Sequence, residues 1–407
     1  MKKIILSIAL IFVFLLICTS CINKNNPSNS DMYNEEKIHE NISDNSTQEI
    51  FLSNIPYDKS INYITKINGN LVNGSNIADD EKNMYYINIK DENKLYKLDK
   101  EGINNQLIYG ESIEKLQYSS EKLYFLKSEK SEMLFSSGLP IYNTYICSTN
   151  SDGTDYEEIL NDKDIKNFLV LNDKIYYIAF SDEYNDEGME RYDLLCFDIA
   201  TQNKYLVYEN VKITNMITSN NPIISNKDNI YFITRNSGVV EYNIESDSIK
   251  NILNDSDDYY TLLTDFIICD DKIIFKCKND RENPIKWSIY IMDITKLDDK
   301  PLCIFSEIDS SDMLMSVNIT DNYIFFTYTL TEEINSGKSK IIFVRMTHDG
   351  SEIVKIKEIY CEKITNISIG EIYIIDDKLI FLNNHTNMMN EKIRIMDFDG
   401  NELNWEV

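Results

Sequence analysis

Asp173-Lys174-Ile175-Tyr176-Tyr177-Ile178 decides the fold: a polar turn runs straight into a dense β-branched and aromatic strand, and the arrangement recurs. The other copies are KNMYYI from Lys82, EKLYFL from Glu121, DNIYFI from Asp228, DKIIFK from Asp271, DNYIFF from Asp321 and DKLIFL from Asp377. Their third residues (Met84, Leu123, Ile175, Ile230, Ile273, Tyr323 and Leu379) are spaced by 39, 52, 55, 43, 50 and 56 residues. Self-similarity at a period of about 49 residues points to a propeller or solenoid. An apolar strand precedes each turn, as in Asn167-Phe168-Leu169-Val170-Leu171, and a third strand follows, as in KIIFVRMTHDG from Lys340. Four third strands close on an acidic residue and glycine (Glu101-Gly102, Asp152-Gly153, Asp349-Gly350, Asp399-Gly400), the chemistry of a tight hairpin turn. A shorter fourth strand then follows, as in Gln106-Leu107-Ile108-Tyr109.

Four antiparallel strands repeated radially make a propeller blade, and closing the ring removes most exposed sheet edges. The expected fold is therefore all-β: a single β-propeller over 59–407, counted as seven four-stranded blades, with six or eight as the alternatives. The first blade should begin with an inner strand near Asn76 and the last should end with its outer strand at Trp405. Residues Asn62 to Lys66 are an alternative source of a closing strand.

The aromatic second strand and the turn Arg345-Met346-Thr347-His348-Asp349-Gly350-Ser351 resemble the YWTD propellers of lipoprotein-receptor type, over roughly residues 62–407. The resemblance extends to clostridial-type lipoproteins carrying such a domain. It implies a propeller, and the role expected of it is that of a binding or scaffolding module. The family's strand-ending aspartate is replaced here by Asn88, Lys127, Ala179, Thr234, Cys277, Thr327 and Asn383, and that family usually has six blades.

The N-terminus carries Lys2 and Lys3 ahead of an apolar run from Ile4 to Ile17. Fourteen helical residues reach about 21 Å, short of the ~30 Å hydrocarbon core, which favours a signal peptide over a span. The run ends Leu15-Leu16-Ile17-Cys18-Thr19-Ser20-Cys21 and resembles a bacterial lipobox. The resemblance implies cleavage after residue 20 and lipidation of Cys21, leaving the protein on the outer face of the cytoplasmic membrane; two or three acyl chains anchor stably where one does not. Residues 21–58 are rich in Asn, Ser and Glu and keep no strand or helix period. Such a stretch buries too little apolar surface to offset its ordering entropy and reads as a disordered tether.

Composition excludes several functions. The 407 residues carry 67 acidic against 40 basic side chains, a net charge of −27, and 43% are hydrophobic. The core can be large. Binding nucleic acid needs clustered cations, so no such partner is expected. The three histidines, and the lack of a nucleophile elbow, zinc-protease helix or phosphate-cradling loop, give catalysis and cofactors no support. Acid-rich turns at Asn150–Asp155 and Asp397–Glu402 do not complete a calcium loop, so no metal is expected. Beyond Cys18 and Cys21, six cysteines sit singly in apolar runs and read as buried thiols; Cys269 and Cys277 flank one turn and are the pair closest to bridging.

The links between second and third strands differ in length. They read as long loops at Ser128–Asn143, Ser181–Arg191 and Leu330–Lys340. The second unit's loop is apolar, with Phe135 and Tyr142; the third's is acidic and aromatic, with Asp182, Glu183, Tyr184 and Asp186. Loops over a rigid scaffold carry recognition, so these six residues are the candidate binding site for a protein or peptide of the cell envelope. The alternative is that they pack down or are merely solvated. Two other functions stay open: a glycan hydrolase or lyase using channel carboxylates, and a structural lipoprotein without a specific ligand. The protein is expected to be a monomer.

Overall fold

Turns made of Asp, Asn, Lys and Ser reverse the chain wherever the sequence repeats, and the β-branched and aromatic runs beside them pair in antiparallel register. A computed structural model describes residues 70–135, 138–184, 188–213, 223–234, 238–254, 262–279, 286–309, 314–333, 338–362, 370–383 and 393–405. The chain divides into Met1–Glu49 and Ile50–Val407, and the described residues all belong to the second unit. Cys21, the signal segment, the 21–58 tether and the Asn62–Lys66 strand lie outside the described residues.

The first sheet is β1 (Ile77–Asp79), β2 (Asn83–Asn88), β3 (Lys94–Asp99) and β4 (Gln106–Tyr109), paired in that order. The second is β5 (Glu114–Ser119), β6 (Lys122–Leu134), β7 (Pro140–Asn150) and β8 (Glu157–Lys163). The next two repeats are β9 (Asn167–Leu171), β10 (Lys174–Tyr184), β11 (Glu190–Asp198) and β12 (Lys204–Val211), then β13 (Ile223–Asn226), β14 (Asn229–Thr234), β15 (Gly238–Asn243) and β16 (Ser248–Leu253). A single pairing, Val211 with Thr234, joins these two into one eight-stranded sheet. Then come β17 (Leu262–Cys269), β18 (Lys272–Asn279), β19 (Lys286–Asp293) and β20 (Leu302–Asp309), and β21 (Leu314–Ile319), β22 (Tyr323–Glu333), β23 (Lys338–Thr347) and β24 (Ile353–Glu362). The last sheet has three strands, β25 (Gly370–Ile375), β26 (Lys378–Asn383) and β27 (Arg394–Asp397).

The second strand of each repeat is buried on both faces, which is why its sequence is a continuous apolar run and not an alternating one. In β2, Tyr85 and Ile87 pack with Leu116, Leu123 and Phe125 of the second sheet. Met84 and Tyr86 point the other way, into a cluster with Tyr373, Ile375 and Ile380 of the last sheet. In β26, Ile380 and Leu382 join that same cluster, while Leu379 and Phe381 pack with Phe343 and Val354 of the sheet before. First and last repeats therefore sit side by side, and the arrangement is propeller-like.

Among the described residues, the expected outer strand at the C-terminus is reduced to one bridge, Met396 with Glu402. Trp405 takes over part of its role: it packs on the Met84 cluster, and its ring lies against Gly102 of the first repeat. The acidic-glycine turns have a second duty beyond their positive φ. A Cβ on Gly153 would come within 2.6 Å of the Ile108 carbonyl oxygen, and one on Gly400 would collide with that of Ile356. The Gly153 and Gly400 turns thus dock on the outermost strand of the preceding repeat.

The cysteine pairing is settled by register. Cys269 faces Lys272 and Cys277 faces Leu263, so the two are not opposed across the hairpin. Cys147 and Cys196 are buried, whereas Cys303 is exposed on β20 and departs from the buried-thiol expectation.

Gly400→Ala should destabilise the protein by about 3 kcal/mol, combining strain at φ +84° with overpacking against Ile356. Gly138→Ala, at φ +81° with open space around it, should cost about 1 kcal/mol. Urea midpoints measure both, and equal losses would remove the docking role of the turn.

Candidate functional site

The long links turn out not to be loops. β6 and β7 continue as a paired ribbon from Glu129–Asn143 and Lys130–Tyr142 to Leu134–Pro140. The β10–β11 ribbon ends on the Tyr184–Glu190 pair, and β22–β23 on Glu333–Lys338. Lys and Glu are poor strand formers, so Lys127–Glu132 gives little strand signal; the pairing of Lys127–Lys130 comes from the partner strand. Gly138 and Gly188, both at positive φ, mark the tips of the first two ribbons, and these glycines were the readable signal.

Phe135 packs down. Its ring meets Phe180 of the next repeat edge-on, with centroids 5.1 Å apart, and Phe180 in turn contacts Tyr184 and Tyr192. Tyr142 stands 39% exposed while its neighbour Ile141 is buried in the main core. Around Tyr142 the ribbon exposes Met133, Leu134 and Leu139, the last two at 59% and 64%; the next ribbon exposes Tyr184 and Met189. Six exposed apolar side chains thus sit on two neighbouring ribbons.

The acids are more balanced than the sequence suggests. Asp182 pairs with Lys163 of β8 at 2.6 Å, and Glu183 pairs with Arg191 at 2.6 Å. Arg191 also forks onto the buried Asp193 carboxylate through Nε and Nη2, both at 3.0 Å. Beneath them the Tyr192 hydroxyl donates to Asp164 at 2.5 Å, and Lys166 pairs with the same carboxylate at 2.7 Å. Burial, then the Asp164 carboxylate, pushes the Tyr192 phenol far above its ordinary value. Asp186 lies outside the described residues.

Sequence reading missed the segment at the axis. Residues 70–72 form a helical turn, and Leu71 and Val72 are buried in the main core. Asn70 accepts from the Ile374 N–H at 2.8 Å and from Asn318 Nδ2 at 3.0 Å, and donates to the Ile374 carbonyl at 2.9 Å. Asn73 donates to the Val317 carbonyl at 2.7 Å and accepts from Ser316 at 2.5 Å. Two asparagines three apart, ahead of Gly74, were its only local mark.

The described inner strands carry three buried carboxylates, and each is engaged. Asp79 pairs with Lys100 at 2.9 Å, Asp265 with Lys276 at 2.6 Å, and Glu371 accepts from Tyr373 at 2.5 Å and Asn76 at 2.9 Å. Among the described residues, no group of three or more His, Cys, Asp or Glu is arranged to hold a metal ion. No helix among them is long and apolar enough to cross a membrane.

No protein-family model and no curated protein matches the chain. Solved structures of similar shape include an acylaminoacyl peptidase from Pyrococcus horikoshii, at TM-score 0.46 and 13% identity over 86% of this chain and 53% of that one. Another is the β-propeller domain of the trilobed protease from Pyrococcus furiosus, at TM-score 0.36 and 13% identity over 72% and 94%. A third is an oligogalacturonate lyase in complex with manganese, at 0.39 and 9% over 67% and 70%. The chain spans about half the length of the peptidase.

Phe135→Ala should cost about 2 kcal/mol of stability, because it strips a half-buried ring from Phe180. Tyr142→Ala should change stability by less than about 0.5 kcal/mol. A comparable loss for both in urea melts would mean that the exposed tyrosine is also structural.

Proposed function

We propose that this chain is a lipid-anchored, seven-bladed β-propeller, YWTD-like in type, that recognises a protein or peptide of the cell envelope. Recognition runs through the tips of the β6–β7 and β10–β11 ribbons. The observation carrying this reading is the set of exposed apolar side chains there: Met133, Leu134, Leu139, Tyr142, Tyr184 and Met189. An exposed apolar patch with polar surroundings is the usual mark of a protein contact. A paired ribbon also holds these side chains in place before binding, so less ordering entropy opposes association than a loop would impose. The seven-blade count is supported by the seven repeats and by the cluster that puts Met84 beside Ile380. The anchor is supported by the lipobox-like run ending at Cys21, which would hold the propeller on the outer face of the cytoplasmic membrane.

Phe135 is the wrong residue for testing recognition, because it supports the ribbon. Crosslinking capture from native membranes with wild type and with Leu134→Asp/Leu139→Asp/Tyr142→Ala separates the two roles. Partners recovered by wild type should be lost from the triple variant at unchanged urea midpoint. Equal recovery removes the ribbon tips from the reading.

Cys21→Ser should release the protein into the medium; retention in the membrane fraction would contradict lipid anchoring at that cysteine.

A further inference from the structure

The far end of the molecule from the ribbons holds a cavity of about 290 Å³ at the axis. That is near the lower limit for pockets that enclose small organic ligands. Its walls come from the inner strands of the first four repeats. Leu71, Ala78, Leu116, Leu169 and Leu171 supply an apolar interior, and Asn70 also lines it. Its rim is formed by Ser119, Ser120 and Lys227, on the turns that end β5 and β13.

One side of that rim opens into a groove that shares Asp79 and Tyr118 with the cavity. The groove adds Asp80, Glu81, Glu121 and Asp376 against Lys82 and Lys100, so carboxylates outnumber lysines five to two. Lys100 is committed to Asp79 and Asp376, at 2.9 Å each. Asp80 accepts the Tyr85 hydroxyl at 2.6 Å. Glu81 and Glu121 are exposed. Tyr118 stands where cavity and groove meet, its ring stacked on Tyr85 with centroids 5.9 Å apart.

We infer that this axial cavity binds a small amphipathic organic cation, with its apolar body among the leucines and its ammonium at the Tyr118 neck, facing Glu81 and Glu121. Apolar walls select the body through burial. An aromatic face and uncompensated carboxylates select the positive charge. Burial, followed by the charges of Asp80, Glu121 and Glu81, raises the Tyr118 phenol above its ordinary value, which agrees with a negative potential at the neck. Lys227, exposed on the opposite rim, is the one lysine among the described lining residues. This site is separate from the ribbon tips, since turns between first and second strands lie at the opposite end of each sheet from the second-to-third hairpins.

Equilibrium dialysis of the detergent-solubilised full chain tests it with three probes of matched shape: 2-phenylethylammonium, 2-phenylethanol and 3-phenylpropanoate. The ammonium should bind, the alcohol at least tenfold more weakly, and the carboxylate not measurably. Glu81→Lys/Glu121→Lys should weaken the ammonium at least tenfold, and Leu171→Trp, which fills the cavity, should abolish binding of both the ammonium and the alcohol. Leu134→Asp should leave all three affinities unchanged, so the result stands apart from the fate of the ribbon reading. No binding of the ammonium by wild type, equal or stronger binding of the carboxylate, or full affinity in the charge-reversed variant would overturn the inference. Should Leu171→Trp fail to fold, the charge-reversed variant decides alone.

Discussion

An inner strand with no further strand beyond it is the constraint on which this molecule depends. Each sheet begins on such a strand, and its inward edge carries N–H and C=O groups that would otherwise lack partners. Among the described residues no ladder joins one inner strand to the next; the link between the third and fourth repeats lies between β12 and β14. Amide side chains serve instead, because each offers a donor and an acceptor in the geometry of a peptide. Gln117 accepts from the Val170 N–H at 3.1 Å and donates to the Phe168 carbonyl. Asn226 donates to the Asp270 carbonyl at 2.7 Å, and Asn318 to that of Ile372 at 3.0 Å. Asn70, on the axial turn, caps the Ile374 peptide at both ends.

Once those edges are satisfied, packing between repeats does the rest. A strand such as β2 has no solvent face, so its side chains must fit two neighbours at once. The same logic reaches the periphery. Arg345 is buried and binds Asp399 at 2.7 Å in the next repeat while its guanidinium lies over Tyr323. This arginine opens the Arg345–Ser351 turn, and its partner lies across a repeat boundary. A buried pair of this kind stabilises only when both members are present, which ties neighbouring repeats together.

A scaffold locked in this way leaves two ends free to vary. At one end, ribbons extend the second and third strands and lift apolar side chains off the body while Lys163 and Arg191 offset the local acids. At the other end, short acidic turns line one side of the mouth of an apolar cavity. The two ends differ in charge balance: Asp182 and Glu183 are paired on the ribbon, whereas Glu81 and Glu121 stand exposed at the cavity mouth.

The sequence alone determined which strand of each repeat is hidden. DKIYYI is too short for a helix, bounded by turn residues and apolar throughout, and only double-sided burial explains that. It also determined the acidic-glycine turns, whose positive φ is a local property. Tertiary structure decided whatever needs a partner from elsewhere. The pairing of Lys127–Lys130, the ion pair of Asp182 with Lys163 in another repeat, and the single bridge that follows Asp397 among the described residues leave no local trace. The axial turn is the extreme case, since Asn70 binds Ile374 across 304 residues. Local pattern records the environment a residue must have, but only closure of the chain on itself supplies the atoms that provide it.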